Sequence, residues 1–140
     1  MRSAVDTNVL SAVWDQEPTA MRLTRLLGDA RRQGSLVLCA AVFAETLAHP
    51  RANEAFIRKF LADTDITVDF DLEERVWLEA GRRYARYSER RRHSSKEQPK
   101  RMLADFVIGA HALLTADRLI TLDRRRYSRD FPTLVLVSIP

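Results

Sequence analysis

Apolar and polar residues along the chain alternate between short continuous apolar runs and longer segments with a helical period. Short apolar runs are typical of buried strands, and they occur at residues 2–5, 36–39, 66–70, 118–121 and 134–139. Apolar positions at helical spacing predict helices at residues 7–14, 18–32, 40–49, 52–62 and 72–88, and from Pro99 through MLADFVIGAHALL. Residues 89–98, ERRRHSSKEQ, lack apolar anchors and are predicted to form a loop.

Strands that alternate with helices indicate an α/β fold. The runs LVLC and LVLV are apolar throughout, as expected for strands of a mostly parallel sheet that helices cover on both faces. A length of 140 residues suits one compact domain, which we predict to span residues 1–140.

Composition restricts the class of protein. Hydrophobic residues at 46% and charged residues at 30% are ordinary for a soluble globular chain, and no segment approaches the roughly 18 apolar residues of a membrane span. We therefore expect a cytoplasmic protein with no membrane association. Cys39 is the single cysteine, and the three histidines are scattered without zinc-ligand spacing. Any bound metal should prefer oxygen ligands.

Positive charge is concentrated in two segments. The chain has 23 Lys and Arg against 19 Asp and Glu, a net charge of +4. Many of the basic residues lie between residues 82 and 101, and a second cluster occupies residues 124–129. Such clustering favours a polyanionic partner, although solvated helix faces and a charged loop explain it equally well.

Four acids lie where a parallel sheet collects its ligands, at or beyond the carboxyl ends of strands. Asp6 ends the first strand, Glu45 follows the second, Asp105 lies in the helix before the fourth, and Asp123 follows the fourth. Structural roles also fit three of them. Asp6 could cap the next helix, Glu45 could face solvent, and Asp123 could be a turn residue.

Asp105 is harder to explain structurally. Its helix is apolar on nearly every side, and a buried ionised carboxylate costs several kcal/mol without a counter-charge. If the helix begins at Pro99, Asp105 lies too far along it to be stabilised by the helix amino terminus. A cation among the acids would compensate its charge.

Four segments in order, AVDTNVL, VFAETL, LADFVIGAHAL and LITLDRRRY, resemble the PIN-domain ribonucleases, especially the toxins of bacterial toxin–antitoxin pairs. The resemblance implies a three-layer α/β/α fold with a central, mostly parallel sheet, and endoribonuclease activity that depends on Mg²⁺ or Mn²⁺. It implies that Asp6, Glu45, Asp105 and Asp123 are the catalytic, metal-binding quartet, with Asn8 and Thr121 as supporting polar residues. It also implies a cognate antitoxin partner and a homodimer.

The chemistry of the residues agrees with this resemblance. Mg²⁺ prefers oxygen ligands and keeps several waters, which a carboxylate cluster permits. Arginine side chains would hold the RNA backbone without reading its sequence, and the candidates are Arg90, Arg91, Arg92, Arg101, Arg124, Arg125 and Arg126.

Other functions stay open. A haloacid-dehalogenase-type phosphatase also begins with an aspartate after the first strand, but it uses a second acid where this chain has Asn8. A PIN-type RNA-processing nuclease outside toxin–antitoxin systems would share all four acids. A non-catalytic module for binding RNA or protein would not need them, and their negative charge would repel RNA unless a metal were bound.

Overall fold

Short apolar segments form one parallel sheet in the computed structural model, which describes residues 1–94 and 100–139. The strands are β1 (Arg2–Val5), β2 (Ser35–Cys39), β3 (Ile66–Asp69), β4 (Arg118–Ile120) and β5 (Leu136–Val137). All four pairings between neighbouring strands are parallel. The prediction of a mostly parallel sheet is confirmed, and the strand positions agree with it except that β5 is shorter than expected.

Helices connect the strands. In chain order they are α1 (Thr7–Trp14), α2 (Ala20–Gln33), α3 (Ala40–Thr46), α4 (Glu54–Asp63), α5 (Glu74–His93), α6 (Leu103–Thr115) and α7 (Arg124–Ser128). Together with the sheet they form the predicted three-layer α/β/α arrangement. Among the described residues no helix is both long enough and apolar enough to cross a membrane.

The order of strands in the sheet is β3-β2-β1-β4-β5, so the chain moves outward from β1 in one direction and later returns to its other side. Val5 of β1 pairs with Ile120 of β4, and the amide of Asp6 donates to the Ile120 carbonyl at 2.9 Å. The carboxyl ends of β1 and β4 are therefore neighbours. In parallel sheets this reversal of strand order is where ligands usually bind.

Helix α6 is the most deeply buried helix, as its apolar sequence predicts. Its residues from Phe106 to Ala112 are all buried. A β-carbon on Gly109 would collide with the ring of Phe131, so glycine permits the close approach of α6 to the segment after α7. This packing fixes the first turn of α6 relative to the end of β4.

Two helix boundaries differ most from the prediction. Helix α5 continues to His93, so residues 89–93 are helical and not a loop. Arginine is a good helix former, and basic residues are favourable in a last turn, which explains the extension. Helix α6 begins at Leu103 and residues 100–102 are not helical, so the prediction of a start at Pro99 is wrong. Residues 95–98 of the predicted loop and Pro99 itself lie outside the described residues.

Candidate active site

Asp6 is fully buried directly after the central strand β1. It precedes α1, and its Oδ1 accepts a hydrogen bond from the Thr7 amide at 2.8 Å. Its Oδ2 accepts from the Thr121 hydroxyl at 2.8 Å and from the Tyr127 hydroxyl at 2.9 Å. The capping role considered from the sequence is present, but two further donors hold the carboxylate from the side of β4 and α7. Asp6 is therefore oriented far more firmly than a cap requires.

Asn8 and Thr121 join the ends of β1 and β4. The Asn8 side chain donates to the Thr121 hydroxyl at 3.4 Å and accepts from the Leu122 amide at 3.1 Å. The Thr121 hydroxyl also accepts from the Asp123 amide at 3.1 Å. Both predicted polar residues thus contact this edge of the sheet and fix the loop that carries Asp123.

Glu45 comes from α3, which begins immediately after β2. Its Oε1 accepts a hydrogen bond from the Thr7 hydroxyl at 2.7 Å, so the residue after Asp6 links the two acids. Burial raises the pKa of Glu45, and the negative charges of Asp6 and Asp105 raise it further. The interaction with both charges indicates that these acids share one electrostatic environment.

Asp105 lies in the first turn of α6, which corrects the prediction that it lies deep in the helix. Met102 is extended, and its amide donates to Asp105 Oδ2 at 3.0 Å. The carboxylate therefore satisfies a free amide at the helix start and interacts favourably with the helix dipole. Its side chain is 13% exposed, and Arg126 lies 3.7 Å from its Oδ1. The expected cationic partner of Asp105 is an arginine of the same chain.

Asp123 precedes the five-residue helix α7 and caps it. Its Oδ1 accepts from the Arg126 amide at 3.1 Å, and its Oδ2 lies 3.5 Å from Nε of the same arginine. Its side chain is 38% exposed, whereas the Asp6 side chain has no contact with solvent. Asp123 is half-buried and Glu45 is exposed, so these two acids are more open to solvent than Asp6.

Burial dominates the titration of Asp6. It raises the pKa of Asp6 above the ordinary value of 3.8, although the hydrogen bonds from Thr121, Tyr127 and Thr7 oppose the change. Burial and the nearby Asp6 charge also raise the pKa of Tyr127, so its hydroxyl stays protonated and able to donate. Burial therefore makes the ionised form of Asp6 less favourable than it is for a free side chain.

The donor set suits a hard divalent cation in kind, because it consists of carboxylates with hydroxyl and amide groups around them. The arrangement of these groups is looser than that of a formed metal site. Within residues 1–94 and 100–139, no three His, Cys, Asp or Glu side chains are grouped so that they could hold one metal ion. The guanidinium of Arg126 faces two of the carboxylates, Asp105 and Asp123.

Sequence reasoning missed three contributors to this site. Thr7 bridges to Glu45, Tyr127 donates to Asp6, and Arg126 lies between acids instead of facing solvent. The sequence could have indicated a site role for Thr7, because its hydroxyl comes directly after Asp6 at the end of β1. Tyr127 and Arg126 gave no signal, because their positions depend on how the short helix α7 turns back over the site.

The predicted RNA-binding arginines fall into distinct environments. Arg91, Arg92 and Arg125 are exposed. Two others bond to backbone carbonyls: Arg101 to that of Arg125 at 3.1 Å and Arg124 to that of Leu136 at 3.2 Å.

Arg90 is in a different position from its neighbours on α5. Its Nη2 lies 2.5 Å from Oδ1 of Asp130, whose side chain is only 6% exposed. The pair connects α5 to the segment that follows α7. The contacts of Arg90 therefore favour a structural role. RNA binding by the predicted arginines stays a prediction.

A basic pocket of about 370 Å³ lies at the end of α5. Aromatic, hydroxyl and basic side chains line it: Tyr84, Tyr87, Ser88, Arg91, Arg92, Lys100 and Arg101. Single-stranded RNA stacks its bases on aromatic rings such as those of Tyr, and its phosphates pair with guanidinium groups.

The PIN domain family model matches residues 4–132, so the chain belongs to the PIN-domain family. The family resemblance predicted from four short segments is confirmed. No curated protein shows significant similarity to the chain.

Two solved structures share this fold. One is a chain in the crystal structure of VapBC2 from Rickettsia felis bound to a DNA fragment from their promoter, with 17% identity, a TM-score of 0.68 and full coverage of both chains. The other is a chain of VapBC-1 from nontypeable Haemophilus influenzae, with 22% identity, a TM-score of 0.68, and coverage of 99% of this chain and 98% of that one.

Proposed function

We propose that the chain is a Mg²⁺- or Mn²⁺-dependent endoribonuclease and the toxin of a toxin–antitoxin pair. One observation supports the proposal: Thr7 contacts both Asp6 and Glu45, and Arg126 contacts both Asp105 and Asp123, near the carboxyl ends of β1 and β4. Burial raises the pKa of Glu45 and the negative charges of Asp6 and Asp105 raise it further, which supports a shared site for these three acids. Membership of the PIN-domain family supports a nuclease.

The four acids would hold the metal, whose bound water would be more acidic and whose charge would offset that of the reacting phosphate. Asp6 would be the least mobile ligand, because Thr7, Thr121 and Tyr127 all donate to it. Asp123 would remain open to the substrate because more than a third of its side chain is exposed.

The basic surface would position RNA. Arg91 and Arg92 at the end of α5 and Arg125 in α7 are exposed and would contact backbone phosphates. Contacts of this kind set affinity and its dependence on salt, and they do not distinguish one base from another. The basic pocket would accept unpaired bases of the strand.

The proposed partners are a cognate antitoxin and a second copy of the chain in the cytoplasm. The similar structures are of VapBC2 and VapBC-1, which supports an antitoxin partner for this chain. Of the two tryptophans, Trp77 is 53% exposed, whereas Trp14 packs against Phe56 and Phe60. Exposed Trp77 and its neighbour Leu78 are the best contact candidates on α5.

Joint expression with the gene next to its own should yield a stable complex with a small antitoxin, and the purified chain should sediment as a dimer. A monomer at high micromolar concentration that co-purifies with no partner would favour an RNA-processing nuclease outside toxin–antitoxin systems.

The central test is metal-dependent cleavage of RNA. The purified chain should shorten single-stranded RNA when Mg²⁺ or Mn²⁺ is added, and EDTA should stop the reaction. Gel analysis of labelled RNA measures this directly. Release of inorganic phosphate from small monoesters without RNA cleavage would support a phosphatase. RNA binding without any cleavage would support a non-catalytic module.

A further inference from the structure

Arg126 is a positive charge placed inside the acidic cluster. Its Nη1 lies 3.7 Å from Asp105 Oδ1, and its Nε lies 3.5 Å from Asp123 Oδ2. Its side chain is only 34% exposed. Burial alone would lower the pKa of Arg126, but the surrounding negative charges, above all that of Asp105, raise it. The guanidinium therefore stays charged and compensates part of the repulsion among the acids.

The local fold directs this side chain inward. Asp123 caps α7 through the amide of Arg126, which places the arginine in the first turn of the helix. The next residue, Tyr127, is fully buried and donates to Asp6. The Arg126 side chain reaches from α7 to Asp105 in the first turn of α6.

The guanidinium uses carboxylate oxygens that a metal would also need. A divalent cation binds carboxylate oxygens at about 2.0–2.2 Å, so a cation on Asp105 Oδ1 and Asp123 Oδ2 would lie close to the Arg126 guanidinium, whose positive charge would repel it. We propose that Arg126 is a resident counter-ion of the acidic cluster, which a divalent cation must displace to bind. The inference rests on the proposed function, because it assumes that these acids bind metal. Metal affinity is then set by a competition inside the chain.

The neighbouring arginines provide a matched control. Arg125 is exposed, and its backbone carbonyl, not its side chain, accepts a bond from Arg101. Arg125→Gln and Arg126→Gln remove the same charge from the same short helix. Only the second removes a contact with Asp105 and Asp123.

Calorimetric titration of Mg²⁺ and Mn²⁺ into the wild type, Arg126→Gln and Arg125→Gln tests the competition. Arg126→Gln should bind both ions about tenfold more tightly or better, because no guanidinium has to leave. Arg125→Gln should stay within about twofold of the wild type, because exposed charges are strongly screened. Thermal unfolding should show a lower midpoint for Arg126→Gln without metal and a larger rise on adding Mg²⁺ than in the wild type.

Equal or weaker metal binding by Arg126→Gln would overturn the inference, as would an equal gain in Arg125→Gln, which would indicate only a general effect of net charge. If Arg126→Gln does not fold, Arg126→Lys is the second variant. It keeps the charge without the planar fork, and affinity above that of the wild type would support displacement, whereas unchanged affinity would count against it. A wild type that cleaves RNA and binds Mg²⁺ while Arg126→Gln shows no gain contradicts only this inference. A wild type that binds no metal and cleaves no RNA removes the proposed function as well.

Discussion

Asp6→Asn and Asp105→Asn should each reduce Mg²⁺-dependent RNA cleavage by roughly 100-fold or more, because a bound metal supplies several kcal/mol of transition-state stabilisation. Both substitutions keep the size of the side chain. Asparagine can still accept the Thr7 amide at position 6 or the Met102 amide at position 105. The helix starts are therefore preserved, and the loss of activity reports on the carboxylate charge. Cleavage of labelled RNA under single-turnover conditions measures the effect.

Asp6→Asn should lose cleavage activity, but its stability without metal should not fall. The ionised Asp6 carboxylate is unfavourable in the fold because burial raises its pKa. We expect the variant to be at least as stable as the wild type at neutral pH, since Asn caps a helix as well as Asp does and carries no charge that burial disfavours. Chemical unfolding with EDTA present gives this difference.

The pH dependence of this difference follows from the direction of the shift. A raised pKa in the fold means that folded Asp6 binds more protons than unfolded Asp6 above pH 3.8. Wild-type stability attributable to Asp6 is therefore lost as the pH rises from 3.8 through the folded pKa. The advantage of Asp6→Asn should grow over this window and then stay constant.

Added Mg²⁺ separates the metal-binding role of Asp6 from a capping role. The wild type should gain thermal stability with Mg²⁺, and both variants should lose most of that gain. If Asp6 only caps α1, Asp6→Asn should cleave RNA at nearly the wild-type rate. Asp6→Ala should in that case cost ~1 kcal/mol and retain activity.

Strand positions and the four acids were accessible from the sequence because both depend on local pattern. Buried parallel strands are continuously apolar, and an acid directly after such a run, as at Asp6, is conspicuous. Local pattern does not predict that β1 and β4 are adjacent in the sheet, because strand order depends on long-range packing. The Val5–Ile120 pairing in the structure explains why Thr121 reaches Asp6.

The interpretation of Asp105 shows where local reasoning failed. Its helix was assumed to begin at Pro99, which made the acid look buried without compensation. The structure begins α6 at Leu103, and Asp105 satisfies the Met102 amide. A bound cation among the acids stays a prediction, and the structure adds Arg126, which lies 21 positions further along the chain, as a positive charge beside Asp105. No spacing rule connects two residues whose contact depends on the turn of α7.

Arg90 should prove to be a structural residue among arginines predicted to bind RNA. Arg90→Ala should destabilise the fold by about 2 kcal/mol, because it leaves the Asp130 carboxylate nearly buried and unpaired. The cost is below that of a fully buried pair because the Arg90 side chain is 32% exposed. Urea unfolding of the wild type, Arg90→Ala, Asp130→Ala and the double variant measures it. The double variant should be less destabilised than the sum of the single ones.

Arg91→Glu and Arg92→Glu are the contrasting variants on the same turn of α5. Both residues are exposed, so stability should change by less than about 0.5 kcal/mol. Binding of single-stranded RNA, measured with EDTA present to prevent cleavage, should weaken. Its dependence on salt should also flatten, by roughly 0.7 in the slope of log affinity against log salt for each lost phosphate contact.

The dependence of RNA affinity on salt in Arg90→Ala decides whether Arg90 has a structural role or binds RNA. A guanidinium held by Asp130 releases no counterions from RNA, so the slope should equal that of the wild type even though the fold is weakened. A flatter slope for Arg90→Ala with unchanged stability would assign Arg90 to RNA binding and contradict the structural role. An unchanged slope for Arg91→Glu and Arg92→Glu would instead mean that the end of α5 is a solvated face. The RNA would then have to approach the acids along α7, where Arg125 is exposed.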